Sequence, residues 1–125
     1  MSADAEDGRF EQGVALFNAG RFFECHEVWE EVWKRSSGGE KLFYQGLIQA
    51  AVALLHAERG NMRGAASTWA KARQKLEPLP SEHMGLALGE FRASLEEFFA
   101  FVSKGEFKTA RPKIRLVASR AKRVY

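Results

Sequence analysis

One stretch of the sequence, residues 42–55, is apolar on almost every side when it is drawn as a helix. A helix that is apolar all round belongs inside a protein, so the stretch predicts a central helix that other helices must cover. Gln45, Gln49 and His56 depart from this pattern, and at about 100° per residue they share one narrow strip. Buried polar groups without partners cost a few kcal/mol each, so the strip is expected to meet polar partners.

Helical periodicity covers most of the remaining chain. Phe10, Val14 and Phe17 fall at i, i+4 and i+7 and predict a first amphipathic helix. Two further helices are predicted over residues 22–34 and 40–59. A fourth is predicted from Asn61, which can cap it, to about residue 76. A fifth contains the apolar stripe Phe91, Leu95, Phe98 and Val102. No segment alternates with period two. The predicted fold is all-α, with five or six helices in antiparallel hairpins; Pro112 either opens a sixth helix or keeps the tail extended.

Glycines interrupt the helices at regular places. Gly20, Gly60 and Gly105 lie 40 and 45 residues apart, and each is followed by an apolar residue two positions on and a small residue five positions on. The glycine suits a tight turn, and the small residue allows two helices to approach closely. The pattern resembles the tetratricopeptide hairpin at a longer period, with three ordinary helix–glycine–helix turns as the alternative.

Length and composition favour one small domain. The chain has 125 residues, 46% of them hydrophobic, which is enough for a packed core. A single cysteine, Cys25, excludes an intramolecular disulfide, and its place on an apolar helix face predicts a core residue rather than a nucleophile. Residues 1–7 are predicted to be a flexible N-terminus, 8–105 the helical domain and 106–125 a basic C-terminal segment. An acidic start and the lack of an apolar run near 20 residues predict a cytoplasmic protein outside the membrane.

The C-terminal segment carries the charge asymmetry. Residues 104–125 hold eight basic side chains against Glu106, a net charge of +7, while the total is +3 and the remainder is therefore −4. Lysine and arginine at this density attract phosphates, so nucleic acid is one candidate partner. The alternatives are a solvated tail and a tail that folds back onto the acidic body.

The second predicted helix gathers acidic and histidine side chains. Glu24, Glu27 and Glu31 share one side of it, and His26 and Glu30 share another edge. A carboxylate reaching Gln45, Gln49 or His56 would pair the polar strip of the central helix. One interpretation is a hydrogen-bonded network that fixes two helices; the other is a metal or general acid/base site formed by Glu24 or Glu27 with His56. The zinc-protease motif fails, because position 30 is glutamate rather than a second histidine.

Two stretches carry a family resemblance. They are FNAGRFFECHEVWEEVW at residues 17–33 and FYQGLIQAAVALLH at residues 43–56. Together they resemble the family catalogued as domain of unknown function 309, over roughly residues 10–100. The resemblance implies a small all-α fold and no activity. The family pattern includes the residues that helical geometry also selects: Glu24, His26, Glu27, Gln45, Gln49 and His56.

The leading functional hypothesis is a non-enzymatic binding or scaffolding module that meets a partner protein, or a second copy of itself, beside the second and third helices. The first alternative is a metal-dependent or acid/base hydrolase-type enzyme that uses Glu24, Glu27 and His56. The second is a nucleic-acid-associated protein that uses residues 104–125. No cofactor is predicted, and a divalent metal belongs to the enzyme alternative alone.

Overall fold

The computed structural model describes residues 8–105 and 111–117, which contain five α-helices and no β-strand. The helices are α1 Arg9–Asn18, α2 Phe22–Lys34, α3 Gly38–Glu58, α4 Met62–Leu76 and α5 Leu88–Ser103. The all-α prediction is therefore confirmed. In the same residues, no helix has both the length and the apolar content that crossing a bilayer requires.

Short turns join the first four helices. Gly20 and Gly60 end two of these turns with φ of +79° and +78°, and Gly105 follows α5 with φ of +81°. Glycine occupies this left-handed region without a Cβ clash, which explains the predicted breaks. Asn61 caps α4, because its Oδ1 accepts a hydrogen bond from Gly64 N at 3.0 Å.

α3 is the central helix, as its apolar surface predicts. It packs most extensively against α4 and then against α2. Phe43, Leu47 and Leu54 on α3 are fully buried or nearly so. At Gly46 the α3–α4 approach is so close that a Cβ would lie 2.8 Å from Cδ2 of Leu76.

Aromatic side chains join α1 and α2. Trp29 is fully buried, its ring stacks 6.4 Å from that of Phe10, and its Nε1 donates to the Phe10 carbonyl at 3.2 Å. A Cβ at Gly13 would lie only 2.0 Å from Trp29 Nε1. The two helices therefore pack in direct contact at Gly13 and Trp29, where no additional atom fits.

Residues 111–117, here called the C-terminal strap, form no helix and lie against the helical body. The Asn18 side chain brackets Ile114: Nδ2 donates to the Ile114 carbonyl at 2.9 Å, and Oδ1 accepts from the Ile114 amide at 2.7 Å. Val117 N donates to Gly85 O at 2.8 Å. The strap thus connects the end of α1 with the loop before α5. Two conformations were expected after Pro112, a sixth helix or an extended tail, and residues 111–117 do not form the helix.

The apolar stripe of α5 differs from the predicted one at a single position. Phe99 is buried and Phe98 is only partly buried, although the sequence favoured Phe98. Positions i+3 and i+4 from Leu95 both border the stripe, and the neighbouring helix determines which is covered. Phe99 is covered because it stacks on Trp69 of α4, with ring centroids 5.2 Å apart.

Candidate functional site

The outer surface of α2 and α3 holds most of the predicted site residues. We call it the α2–α3 face and define it by Phe23, His26, Glu27 and Trp33 on α2 and by Leu42, Gln45 and Gln49 on α3. Lys41 Nζ lies 4.5 Å above the ring of Trp33, so this edge of α2 borders the first turn of α3. His26 precedes Trp33 by seven residues and therefore shares the edge.

His26 directs one ring nitrogen toward Glu30, and its other ring nitrogen is buried. Its Nε2 lies 3.3 Å from Oε2 of Glu30, one helical turn further on. A carboxylate at this distance favours the tautomer with its proton on Nε2, and in that neutral ring Nδ1 carries a lone pair and is an acceptor. This Nδ1 is buried and has no hydrogen-bond partner among the described residues. His26 thus holds an inward-facing acceptor that nothing in the described structure satisfies.

Two other buried polar atoms lack partners, and both lie on the same two helices. They are the indole Nε1 of Trp33, a donor, and Oε1 of Gln49, an acceptor. With His26 Nδ1 they complete the set of such side-chain atoms in residues 8–105 and 111–117. An unpaired buried polar atom costs about 1–3 kcal/mol, so finding all three on two neighbouring helices is unusual for a purely structural surface.

The strongly exposed large apolar side chains lie there too. Phe23 is 50% exposed and Leu42 is 56% exposed, and no other large apolar side chain in the part of the chain that the structure describes is as exposed. Phe23 also contacts the His26 ring, at 5.8 Å between centroids. The α2–α3 face therefore combines unsatisfied hydrogen-bonding groups with exposed apolar surface.

The structure does not join the α2 glutamates to the polar strip of α3. Glu24 is bonded to Arg21 at the surface, an interaction that raises the pKa of the arginine. Glu27 is exposed and forms no ion pair with a described residue. His56 Nδ1 lies 3.2 Å from Nδ2 of Asn61 at the α3–α4 turn. The expected carboxylate partners of Gln45, Gln49 and His56 are thus absent from the described contacts.

The described residues offer little for metal or nucleophilic chemistry. Over 8–105 and 111–117, no three His, Cys, Asp or Glu side chains lie together as metal ligands must. Cys25 is buried, and burial raises the pKa of its thiol, as suits a core residue. His83, in the loop before α5, packs its ring 4.8 Å from that of Phe43, and burial lowers its pKa.

A second concave region lies between α4 and α5 and was not predicted as a site. We call it the α4–α5 groove; its volume is about 510 Å³. Its lining residues are Met62, Arg63, Ala65, Ala66 and Trp69 on α4, and Glu96, Phe99, Ala100, Val102 and Ser103 on α5. The sequence contains one feature that could have indicated it, Trp69, because a large aromatic side chain can line a groove as well as fill a core. The groove shares no residue with the α2–α3 face.

The described basic residues of the C-terminal segment partly fold back onto acidic side chains. Arg111 Nη1 lies 3.3 Å from Oε2 of Glu58, and Arg115 Nη2 lies 3.2 Å from Oε1 of Glu90, which raises the pKa of Arg115. Both pairs agree with the fold-back alternative. Lys108, Arg120, Lys122 and Arg123, which the nucleic-acid hypothesis also used, lie outside the described residues.

Comparison with known proteins places the α2–α3 face inside a recognised family pattern. The model of the family described as "Domain of unknown function (DUF309)" matches residues 10–68, from α1 to the first half of α4, and confirms the resemblance seen in the sequence. The chain is also similar to an "Uncharacterized protein" of Aquifex aeolicus (strain VF5), at 40% identity over 82 residues, which is 65% of this chain and 25% of that protein.

A second relative is the "Uncharacterized protein YpuF" of Bacillus subtilis (strain 168), 42% identical over 69 residues. That match covers 54% of this chain and 38% of the relative, so the chain matches well under half the length of either protein. The family and both relatives have no stated activity. The α5 wall of the α4–α5 groove lies outside the family match.

Proposed function

We propose that this chain is a non-enzymatic helical binding module and that its α2–α3 face holds a segment of a partner protein. One observation carries the proposal. In the described residues, every unpaired buried side-chain polar atom and every exposed large apolar side chain lies on α2 or α3. A stable surface rarely keeps both features together unless something covers it.

The unpaired atoms match what a polypeptide backbone offers. A backbone N–H can donate to His26 Nδ1 or Gln49 Oε1, and a backbone carbonyl can accept from Trp33 Nε1. The three side chains are each partly exposed, so rotation about their χ angles brings these atoms toward a bound segment. Apolar side chains of the segment would cover Phe23 and Leu42.

Charge favours a basic segment. α2 carries Glu24, Glu27, Glu30 and Glu31, against Lys34 near its end. Glu24 and Glu31 already have arginine or lysine partners in the described structure, Glu30 lies beside His26, and Glu27 has no partner. A lysine or arginine of the partner is therefore the natural counter-ion of Glu27, and electrostatic complementarity of this kind sets specificity and association rate.

A displayed library of random peptides tests the proposal, because selection on the folded protein does not require the natural partner to be identified. The selected peptides are expected to combine lysine or arginine with apolar residues. Their affinity, measured by fluorescence polarisation, should fall at least ten-fold in Leu42→Ser and in Phe23→Ser, and several-fold in Glu27→Lys. The last loss should shrink as salt rises, since exposed charges are screened.

The matched controls lie on α5. Glu97 is exposed and has no ion pair with a described residue, so Glu97→Lys repeats the charge change away from the face. Phe101 is partly buried, and Phe101→Ser repeats the loss of an apolar ring. Peptides that bind all five variants equally, or that bind only the α5 variants poorly, would contradict the proposed site.

The enzyme alternative with Glu24, Glu27 and His56 stays a prediction. It is tested by elemental analysis of protein purified without chelator or affinity tag, beside a Glu27→Gln, His56→Ala double variant. Stoichiometric metal in the parent protein that is lost in a folded double variant would favour the enzyme over the binding module.

A further inference from the structure

We infer that the α4–α5 groove binds a small amphiphile with one anionic group and an apolar body. The site is separate from the α2–α3 face, and the inference does not depend on the function proposed for that face. It rests on how α4 and α5 are held together, on the size of the space between them, and on the one charge that is left unpaired at its edge.

The two helices are joined at one end, and the groove lies between them toward the other. Arg92 Nη1 donates to the carbonyls of Leu76 and Leu79 at 2.7 Å each, which fixes the C-terminal end of α4 to the start of α5. Next along the pair, Arg73 Nε lies 2.7 Å from Oε2 of Glu96. The Trp69–Phe99 stack follows, and both rings line the groove.

Beyond this stack the walls carry small side chains. Ala65 and Ala66 on α4 and Ala100 on α5 face the groove where larger residues would have closed it. Trp69, Phe99 and Val102 are each exposed by less than a tenth, so the apolar surface lies at the bottom and not on the rim. The space is thus a narrow apolar slot and not a flat patch.

Size favours a small molecule over a helical segment. About 510 Å³ lies within the roughly 300–1,000 Å³ of ordinary ligand pockets. An α-helix is about 10–12 Å across with its side chains, so about one turn of helix would fill the whole volume. A slender apolar chain or a single ring system can enter this volume in full, whereas a partner helix could insert only side chains of one face.

Charge selects the head group. Two charged residues line the groove: the carboxylate of Glu96 is ion-paired with Arg73, which also lies 3.4 Å from Glu77, and Arg63 is exposed with no ion pair to any described residue. The Ser103 hydroxyl already donates to the Ala100 carbonyl at 2.9 Å, so its hydrogen is not available to an anionic ligand. The groove therefore presents one unpaired cation beside an apolar slot, which is complementary to an anion with an apolar tail.

Calorimetric titration with three ten-carbon probes tests the ligand class at concentrations below micelle formation. Decanoate is expected to bind saturably with one site per chain. Decanol lacks the charge and should bind at least several-fold more weakly, and decyltrimethylammonium should bind more weakly still. Equal affinity for all three, or no saturable binding of decanoate, would overturn the inference.

Substitutions locate the site. Ala66→Leu with Ala100→Leu fills the slot at two exposed helical positions and should reduce decanoate affinity at least ten-fold. Arg63→Glu should abolish the preference for decanoate over decyltrimethylammonium. Lys71→Glu makes the same charge change on the exposed side of α4, outside the groove, and should leave binding unchanged.

Each outcome decides the question. Unchanged decanoate binding in Arg63→Glu places the ligand elsewhere and overturns the inference, even if the double leucine variant fails to fold. A loss in Lys71→Glu equal to that in Arg63→Glu shows non-specific charge attraction and also overturns it. Leu42→Ser should bind decanoate normally, so the two sites fail or succeed independently.

Discussion

The α1–α2 pair and the α4–α5 pair each contain a tryptophan at an equivalent place after a glycine turn, and the two tryptophans do different things. Trp29 is fully buried against Gly13 and hydrogen-bonded to the Phe10 carbonyl. Trp69 is 8% exposed and stacks on one ring at the end of an open groove. The position of a tryptophan relative to the glycine turn therefore does not determine its role; the opposing helix does.

The two candidate sites differ in the same way. The α2–α3 face has unpaired polar atoms and exposed apolar side chains. The α4–α5 groove has an apolar interior and a single unpaired charge. Where helices pack tightly, a partner can bind only on their outer surface. Where a groove lies between two helices, a ligand can bind inside it. Substitutions at Gly13, Asn18 and Gln49 probe this contrast, with expected effects that decrease in that order.

The largest effect is expected where α1 meets Trp29. In Gly13→Ala the new methyl group would overlap the indole ring, with Cβ placed 2.0–2.6 Å from three of its atoms. The ring is held on all sides and cannot move aside, so overpacking should cost about 3 kcal/mol of unfolding free energy. Chemical denaturation measures it, and the melting temperature should fall on the order of 10 °C.

Gly39→Ala is the matched control, because a Cβ there meets nothing within 4 Å and the residue lies in the first turn of α3. It should leave stability unchanged or raise it by about 0.5–1 kcal/mol, since alanine favours the helix. If Gly13→Ala were as harmless as Gly39→Ala, the α1–α2 pair would be as loosely packed as the α4–α5 pair, and the contrast would disappear.

An intermediate effect on stability is expected at the C-terminal strap, which connects α1 with the loop before α5. Asn18→Ala removes both hydrogen bonds to Ile114, which is buried, and should cost about 2 kcal/mol. Asn18→Asp keeps the acceptor for the Ile114 amide, but its second oxygen replaces the donor and faces the Ile114 carbonyl, so its loss should be no smaller. Thermal unfolding of the three proteins checks the order. Equal stability of all three would show that the strap does not hold α1 to the loop before α5.

Much of the fold could be predicted because its signals are local. The helices follow from 3.6-residue periodicity, and the turns follow from glycines that take positive φ. The central position of α3 follows from its all-round apolar surface. Each of these depends on residues within a few positions of one another, which is the range over which sequence pattern is most informative.

The remainder of the fold and of the candidate sites depends on how the helices pack against each other, and local sequence patterns do not predict that packing. Helical geometry selected His26, Gln49 and His56, yet the partner of His56 is Asn61 and Gln49 Oε1 has none among the described residues. The path of the strap was left open because Ile114 is held by Asn18, 96 residues away in the chain. The α4–α5 groove is a space between two helices, so only their packing in the structure reveals it.

The smallest effect on stability, and the sharpest separation of stability from binding, is expected at Gln49. Gln49→Met replaces an amide whose buried oxygen lacks a partner in the described structure with an apolar side chain of similar length. The oxygen gives up its bonds to water on folding and receives nothing in return, so its removal should leave the unfolding free energy unchanged or raise it by up to about 1 kcal/mol.

Binding of a selected peptide by the same Gln49→Met protein should fall several-fold, because the acceptor offered to the partner is gone. Gln74→Met, at an exposed position of α4, should change neither quantity. A loss of more than about 1 kcal/mol in Gln49→Met, with peptide affinity intact, would mean that Gln49 is bonded within the folded protein. The polar strip of α3 would then be a structural network that fixes helix pairing, and the α4–α5 groove would be the stronger candidate for ligand recognition.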